Sequence, residues 1–390
     1  MRLDTESAPA VRKPAPAPVV KSNPYPWWAV RFWHGMSAGS FASLLKRNHF
    51  RIHPARLPMA FLIAHISLGN SLMNRLQWLL DHKRLAETSL KQPPVFIIGH
   101  WRSGTTMLHE LMVRDEQFAY PTTYACFVPQ HFLITSWFIP HLFWMCLPSK
   151  RPMDNMPVSF QHPQEDEMAL LAMGLPSPLA RIAFPNEPAP YLEYLNMEGI
   201  PERDLAKWKQ GLDYFVRALT LKYQKPIVLK SPTHTGRIGV LSQMFPGARF
   251  VHIVRDPYTL FASSRRLWMT LDETQGFQLP KNEHLDEFIF TAFERMYAGF
   301  EEQRSQVDPS QLCEVRYEDL IKDPVGELRT IYERLELGDF SRVQPQIEAY
   351  VRERKDYQPN RHELEPTIVA QIQKRWAGYL ARYHYEPAAK

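Results

Sequence analysis

The sequence predicts an α/β fold, a three-layer sandwich built on a mostly parallel central sheet, with helical extensions at both ends. Four short and uninterrupted apolar runs are typical of buried parallel strands, at residues 95–98, 227–229, 250–254 and 312–317. Each run leads into a segment with helical periodicity. Strands and helices that alternate over such lengths predict βαβ units with right-handed crossovers.

Taken in order, these elements divide the chain into four parts. Residues 1–24 are rich in proline and predict a disordered tail. Residues 25–91 carry helical patterns and predict an N-terminal helical extension. Residues 92–340 predict the α/β domain, and residues 341–390 predict a C-terminal helical region that packs on the core.

The composition indicates a folded protein and limits its partners. Of the 390 residues, 45% are hydrophobic and 22% are charged, which excludes a collagen-like or wholly disordered chain. The net charge of +5 suits small anionic ligands but is too small for a nucleic-acid-binding surface. The three cysteines form no CxxC pair, which argues against a disulfide framework and a cysteine-based zinc site. Because the start of the chain also lacks a secretory pattern, we expect a cytoplasmic protein.

One internal segment has an unusual composition. Between Glu116 and Lys150 there is no Asp, Glu, Lys or Arg, and the stretch 131–147 approaches the roughly 20 apolar residues of a membrane span. Pro140 and two histidines favour a buried or pocket-lining segment instead. A membrane-facing surface is the alternative, here and for the aromatic cluster at residues 27–33, because tryptophan also favours membrane interfaces.

The loop after the first predicted strand has the features of a phosphate-binding site. Residues 99–106 are GHWRSGTT, so the spacing GxxxxG lies between a strand and a helix, as in a P-loop. Gly104 allows a tight turn, consecutive N–H groups converge, and the helix N-terminus adds the positive end of its dipole. Thr105 stands where a nucleotide triphosphatase has a lysine, which argues against ATP or GTP hydrolysis. A cation is present instead at Arg102.

Four segments together resemble a known family. They are IIGHWRSGTT at 97–106, LKSPTH at 229–234, FPGARFVHIVRDP at 245–257 and VRYEDL at 315–320. The set resembles the sulfotransferases that use 3′-phosphoadenosine-5′-phosphosulfate (PAPS), most closely their bacterial, tyrosylprotein-sulfotransferase-like branch. The resemblance covers roughly residues 93–340. It implies transfer of a sulfuryl group from PAPS to an acceptor hydroxyl.

The resemblance implies two anion sites, one for each phosphate-bearing end of PAPS. The 3′-phosphate would be bound by Arg255 and Ser263, and Arg255 also follows a predicted strand at the edge where open α/β sheets bind ligands. Tyr317 is implied near the nucleotide, although as a strand residue it fits the core equally well. The 5′-phosphosulfate would be bound by the loop residues Arg102, Ser103, Gly104, Thr105 and Thr106.

Sulfuryl transfer is an in-line displacement that moves negative charge onto the leaving phosphate oxygen. Cations beside the bridging and sulfuryl oxygens should therefore supply most of the catalysis. Arg102 and Lys230 are the predicted catalytic cations. The reaction requires no metal, and we expect none.

The resemblance does not transfer a general base, because Thr123 occupies the position at which the tyrosylprotein branch has a glutamate. Glu165 and Glu167, at the start of an apolar helical run, are the nearest candidates for the base. Carboxylates in a first helical turn can also simply complement the helix dipole. His234 is the alternative base, and His162 is a weaker one.

Two alternatives to a sulfotransferase stay open on the sequence alone. The glycine spacing also fits a P-loop kinase of a small metabolite, although Thr105 opposes it. The other alternative is a catalytically silent nucleotide-binding protein, which the presence of both Arg102 and Lys230 opposes. The uncharged segment and the aromatic N-terminal region predict an acceptor that is a small molecule or is apolar and lipid-like. The sequence does not indicate the oligomeric state.

Overall fold

Four parallel strands form the central sheet in the computed structural model, which describes residues 25, 26, 28–148, 150, 158–353 and 364–386. The strands are β1 (Val95–Ile98), β2 (Val228–Lys230), β3 (Arg249–Val254) and β4 (Leu312–Arg316). They lie in the order β2-β1-β3-β4, and every neighbouring pair is parallel. Their carboxyl ends therefore meet at one edge of the sheet, where open α/β folds bind ligands.

Helices surround this sheet. Before β2 the chain forms α1 (Ala38–Arg47), α2 (Leu57–Glu87), α3 (Thr105–Met112), α4 (Thr123–Phe127), α5 (Phe132–Thr135), α6 (Ile139–Leu142), α7 (Asp166–Ala172) and α8 (Glu202–Tyr223). After β2 it forms α9 (Ile238–Met244), α10 (Pro257–Gln275), α11 (Leu285–Gln303), α12 (Tyr317–Lys322), α13 (Pro324–Arg334), α14 (Gln344–Glu353), α15 (Pro366–Arg375) and α16 (Ala377–Arg382). Short 3₁₀ segments occur between them, among them Pro232–Arg237 after β2.

Successive strand side chains point to opposite faces of the sheet and enter two separate apolar clusters, which gives three layers. Phe96, Ile98 and Phe250 belong to the cluster beneath α1, α2, α8, α10, α11, α15 and α16. Ile97 and Val251 belong to the cluster beneath α3, α12, α13 and α14. The predicted α/β sandwich is confirmed.

The predicted strands agree with the structure to within one residue at each end. The first strand matches in full, and β2 extends to Lys230, which places that side chain at the ligand-binding edge. The fourth prediction is one residue too long, because Tyr317 opens α12. The sequence after β2 predicts a helix over about 235–245, and α9 occupies 238–244 of it. The helix starts later than predicted because a 3₁₀ segment at Pro232–Arg237 precedes it, in which the Thr235 hydroxyl donates to the Pro232 carbonyl oxygen at 2.7 Å.

The uncharged segment forms α5, α6 and a 3₁₀ turn at Trp144–Cys146 rather than one long helix. Pro140 opens α6, where its missing N–H group is tolerated. In the ranges that the structure describes, no helix combines the length and the apolar composition that crossing a membrane requires. The tail predicted at residues 1–24 lies outside the described residues, and the four domain boundaries stay predictions.

Candidate active site

The loop between β1 and α3 has a backbone conformation that its sequence makes possible. Gly104 precedes α3 with φ of +109°, and a Cβ atom there would lie 2.4 Å from Cδ2 of Tyr317. A larger residue would meet both a steric clash and an unfavourable φ. Arg102 also has a positive φ, of +71°. The Gly99 N–H group donates to the Thr235 hydroxyl at 2.8 Å, which joins the loop to the segment after β2.

Four residues predicted to bind the nucleotide meet beside this loop. Arg102 Nε donates to Ser263 Oγ on α10 at 2.9 Å, and Arg255 Nη1 donates to the Arg102 carbonyl oxygen at 2.8 Å. The Arg255 guanidinium carbon lies 4.1 Å from the centroid of the Tyr317 ring. We call Arg102, Arg255, Ser263 and Tyr317 the arginine cage. Because Arg255 follows β3 and Tyr317 follows β4, two adjacent strand ends supply half of it.

The cage is supported by the C-terminal part of the chain. The Arg255 N–H group donates to the Tyr379 hydroxyl oxygen at 3.0 Å, and that hydroxyl donates to the Arg255 carbonyl oxygen at 2.9 Å. Tyr379 lies on α16, 124 residues further along the chain. Helix α16 therefore fixes the backbone from which the Arg255 side chain extends.

The loop and the cage fit an anion with two charged ends. The N-terminus of α3 supplies N–H groups and the positive end of a helix dipole. Ser103 Oγ is buried and has no hydrogen-bond partner among the described residues, so it is available to a ligand. Arg255 contacts a carbonyl oxygen and an aromatic face, and in the described part of the chain no carboxylate forms an ion pair with it. Its charge is therefore not neutralised by the protein.

Lys230 lies at the end of β2, one strand away from the loop, and is paired in the sheet with Ile97 of β1. Its Nζ atom lies 2.8 Å from Glu165 Oε1, and the Lys230 side chain is only 3% exposed, whereas that of Glu165 is 18% exposed. His109 on α3 lies close enough to Lys230 to respond to its charge. Burial, together with that charge, lowers the pKa of His109 to about 3, so this ring is neutral at pH 7.

The two carboxylates that follow Glu165 are fully buried in other pairs. Asp166 Oδ2 lies 2.5 Å from His234 Nε2, and Glu167 Oε2 lies 2.5 Å from Arg237 Nη1. Burial alone would raise the pKa of Glu167, but the Arg237 guanidinium outweighs it and the pKa is lowered. These pairs attach the start of α7 to the 3₁₀ segment after β2. The three consecutive acidic side chains thus point in different directions.

Sequence reasoning missed three residues that shape this site. Asp166 lies between the candidate bases Glu165 and Glu167 and pairs with the third candidate, His234. Thr235 directly follows the motif at 229–234 and binds the Gly99 N–H group. Asp166 was visible as a carboxylate between the candidate bases, and Thr235 as a polar residue beside a motif. Tyr379 carried no sequence signal. Thr123 and His162 are joined through the backbone, since the Thr123 N–H group donates to the His162 carbonyl oxygen at 2.8 Å.

No group of three or more His, Cys, Asp or Glu residues in the described ranges is arranged to hold a metal ion.

Comparisons with known proteins agree with this geometry. Residues 93–342 match the model of the Sulfotransferase family. The chain is 42% identical over 359 residues to the omega-hydroxy-beta-dihydromenaquinone-9 sulfotransferase Stf3 of Mycobacterium bovis, and the alignment spans 92% of each protein. The protein of the same name from Mycobacterium tuberculosis matches equally well.

Two solved structures show a similar fold. Sulfotransferase STF9 from Mycobacterium avium has a TM-score of 0.63 at 16% identity, over 91% of this chain and 98% of that one. Sulfotransferase STF1 from Mycobacterium tuberculosis has a TM-score of 0.62 at 19% identity, over 88% of this chain and 94% of that one. At these identities the structural matches establish the architecture.

Proposed function

The chain belongs to the sulfotransferase family, and from this premise we propose that it transfers a sulfuryl group from PAPS to the hydroxyl of an apolar, lipid-like acceptor. The family membership confirms the resemblance seen in the four sequence motifs and the prediction of an enzyme of this class. It gives no support to the kinase or to the silent nucleotide-binding protein.

The arginine cage beside the phosphate loop is the observation that carries the assignment of the nucleotide site. Bound PAPS supplies the sulfuryl group. The loop residues 102–106 would hold its 5′-phosphosulfate, with the Ser103 hydroxyl and the α3 N–H groups as donors. Arg255 and Ser263 would hold the 3′-phosphate by charge-assisted hydrogen bonds. Tyr317 supports Arg255 through the face of its ring.

Lys230 is the proposed catalytic cation at the site of transfer, with Arg102 on the side of the loop. The ammonium group of Lys230 is nearly excluded from water, so its charge acts at short range in a medium of low effective dielectric constant. A fixed cation in such a place stabilises negative charge that develops on the leaving oxygen more than charge already present in the ground state. The pair with Glu165 keeps the ammonium group in position.

Glu165 is the proposed general base. It is the most accessible of the three acidic residues at this end of α7, whereas Glu167 is fully buried against Arg237. His234 is likewise fully buried and bonded to Asp166, so it is proposed to support the site rather than to contact the acceptor. Glu165 would accept the proton of the acceptor hydroxyl, while Lys230 remains charged beside it.

Three observations support a lipid-like acceptor. The relatives at 42% identity are named for a hydroxylated dihydromenaquinone. Cys126, in the uncharged segment, lies near enough to Asp166, Lys230 and Glu165 for their charges to affect its thiol, so apolar chain borders the transfer site. The same segment is bonded through its backbone to the residues before Glu165, since the Gln164 N–H group donates to the Pro121 carbonyl oxygen at 2.9 Å. A lipid acceptor would bring this enzyme, which we place in the cytoplasm, to a membrane surface.

The test is an acceptor screen with sulfur-labelled PAPS and purified protein. Long-chain lipids with a terminal hydroxyl, small phenols and hydrophilic glycans are offered in parallel, with the Lys230→Ala variant as a control for background transfer. We expect label on the lipid class and none with the variant. Label on glycans alone would overturn the acceptor class, and magnesium-dependent ATP turnover without PAPS turnover would overturn the reaction.

A further inference from the structure

Helix α2 has its polar side facing inward and its apolar side facing outward. Its buried positions include the polar residues Ser67, Asn70, Gln77 and Asp81, which lie on one face and are flanked by the apolar Ala60, Ile63 and Leu85. The opposite face exposes large apolar side chains. The most exposed of them are Phe61, Leu68, Leu72, Trp78, Leu79 and Leu80, at 59–68% of their surface.

The inward polar residues are hydrogen-bonded to the body of the protein, so the orientation of the helix is fixed. The Asn70 amide donates to the carbonyl oxygens of His34 and Met36 at 2.6 and 3.0 Å. Gln77 accepts from the Leu133 N–H group at 2.8 Å and donates to the Tyr214 hydroxyl at 3.0 Å. Rotating α2 to bury its leucines would leave these buried polar groups without partners, which is costly.

Helix α8 shows the usual arrangement for comparison. It buries Trp208, Leu212 and Phe215 and turns charged residues such as Glu202 and Lys207 outward. A side chain of leucine or phenylalanine that stays exposed forgoes about 1.5–3 kcal/mol of burial free energy. A whole stripe of such residues over 31 residues of helix indicates that α2 is covered by something other than water.

A second exposed apolar patch adjoins this face. The segment that donates to Gln77 through Leu133 continues into Trp137, Leu142, Trp144 and Met145, which are 64–74% exposed. We call the outer stripe of α2 together with this patch the apolar face. Tryptophan at its border is typical of a surface that meets the interfacial region of a bilayer.

The charges around the apolar face identify its partner. Residues 28–80 contain six Lys or Arg and no Asp or Glu, and residues 117–149 contain no charged side chain except histidine. Arg75 lies exposed on α2 itself, and Lys46 and Arg47 are exposed on the neighbouring helix α1. A second copy of this chain would place like charges against each other, whereas anionic lipid headgroups would be attracted.

We infer that the apolar face rests on the surface of an anionic lipid bilayer, an inference that rests on the proposed function for its purpose, because a lipid acceptor would be collected there. Helix α2, about 46 Å long at 1.5 Å per residue, would lie along the membrane plane. The uncharged segment links this face to the residues that precede Glu165.

The experiment measures co-sedimentation of the purified full chain with vesicles of phosphatidylcholine alone or with 30 mol% phosphatidylglycerol, without PAPS or acceptor. The variant Leu72→Glu/Leu79→Glu puts two carboxylates on the outer stripe. The matched control is Ile321→Glu/Lys322→Gln on α12, which changes the net charge equally on a helix that covers the other face of the sheet. Thermal midpoints and binding of 3′-phosphoadenosine 5′-phosphate show that each variant is folded.

We expect the wild type to bind the anionic vesicles best, more weakly at high salt, and the control to match it. The Leu72→Glu/Leu79→Glu variant should bind at least about 10-fold more weakly with its nucleotide affinity unchanged. Equal vesicle binding by both variants would overturn the inference. So would a wild-type dimer, measured without lipid by light scattering, that only this variant dissociates.

Failure of this inference and failure of the proposed function are distinguishable. If the protein sulfates a detergent-solubilised lipid but does not bind vesicles, the membrane-binding inference fails and the proposed function stands. If the protein binds vesicles but sulfates no lipid, the proposed lipid acceptor fails and the membrane-binding inference stands.

Discussion

The active site has two halves, the arginine cage and the residues around Lys230, and they differ in whether their charged side chains have partners of opposite charge. In the arginine cage, Arg255 contacts a carbonyl oxygen and the Tyr317 ring, and no carboxylate of the described chain pairs with it. Around Lys230, by contrast, consecutive acidic residues each pair with a basic one, and two of those pairs are fully buried. In the first half a cation has no acidic partner among the described residues, and in the second, which we call the paired half, every one of the three acidic side chains has a partner.

This difference separates binding from transfer. A cation without an acidic partner attracts an anionic ligand, so the cage should govern nucleotide affinity. A buried set of paired side chains holds its members in fixed positions, which favours stabilisation of a transition state. We therefore expect substitutions of the cage residues Arg255 and Ser263 to alter binding, and substitutions around Lys230 to alter turnover or folding.

The largest effect is expected from Lys230→Ala. Loss of the buried ammonium group should lower kcat by about 10² to 10³, because one transition-state charge donor is removed. The Kd for 3′-phosphoadenosine 5′-phosphate, measured by calorimetry, should stay within about threefold. Lys207→Ala, which removes an exposed lysine from α8, is the control and should change neither quantity. If Lys230→Ala weakened nucleotide binding and left kcat unchanged, the assignment of Lys230 to transfer and of the cage to binding would be contradicted.

In the paired half, separate substitutions of Glu165 and Glu167 should distinguish a residue that acts in catalysis from one that stabilises the fold. Glu165→Gln should lower kcat by about 10², as expected for loss of a general base, and should lower the thermal midpoint less than Glu167→Gln does, because Glu165 is partly exposed and the new amide oxygen can still accept from Lys230. Glu167→Gln should instead cost about 3–5 kcal/mol of stability, because it leaves the Arg237 charge buried without a partner. Kinetics and thermal melts on both variants test this, and the reverse pattern would show that the base is misassigned.

In the cage, Ser263→Ala should raise KM for PAPS by about 10-fold and leave kcat unchanged, since it removes one hydrogen bond to a charged group. The neighbouring Ser264→Ala variant is the control, because among the described residues the Ser264 hydroxyl bonds to the Trp101 carbonyl oxygen alone, at 3.3 Å. Steady-state kinetics at saturating acceptor measures both. A fall in kcat without a change in KM would place Ser263 in the transfer half.

Lowering the pH should reduce the stability of the folded protein, by less than the substitutions above change their measured quantities. Burial lowers the pKa of His100 in the loop to about 4, and burial with the charge of Lys230 lowers that of His109 to about 3. Burial likewise lowers the pKa of His34 and His131 to about 4. The unfolded chain binds these protons near pH 6.5 and the folded chain does not, so stability falls as pH drops below about 6.5.

A thermal midpoint several degrees lower at pH 5 than at pH 7.5 is the expected result, at constant ionic strength. Asp272 acts in the opposite sense, because burial raises its pKa to about 6 despite the bond to Arg181, and burial also raises the pKa of Glu301 and Glu327. We expect these carboxyls to offset only part of the effect of the four histidines. An unchanged or higher midpoint at pH 5 would contradict the neutral state of the buried histidines.

The nucleotide half could be predicted from the sequence because its signals are local. Strand, glycine turn and helix follow one another within twelve residues, and their order alone predicts an anion site. The contact between Lys230 and Glu165 joins residues 65 apart, and it depends on how α7 packs against the segment after β2. Sequence therefore supplied both residues as candidates but not their pairing.

The orientation of helix α2 could not be predicted from the sequence. Its periodicity predicts a helix, but the assumption that apolar side chains face the core gives the wrong orientation. Buried amides such as Asn70 and Gln77 find partners on distant segments, and only the folded structure reveals them. Tyr379 belongs to the same class, since its contact with Arg255 joins residues 124 apart.

The most direct test of the account uses one pair of ligands and one pair of proteins. Calorimetry compares 3′-phosphoadenosine 5′-phosphate with adenosine 5′-monophosphate, which differ only in the 3′-phosphate, on the wild type and on Arg255→Ala. We predict that the wild type prefers the doubly phosphorylated ligand by about 100-fold and that the variant loses this preference while it still binds the monophosphate. Equal weakening of both ligands in the variant, or no preference in the wild type, would contradict the assignment of the arginine cage to the 3′-phosphate.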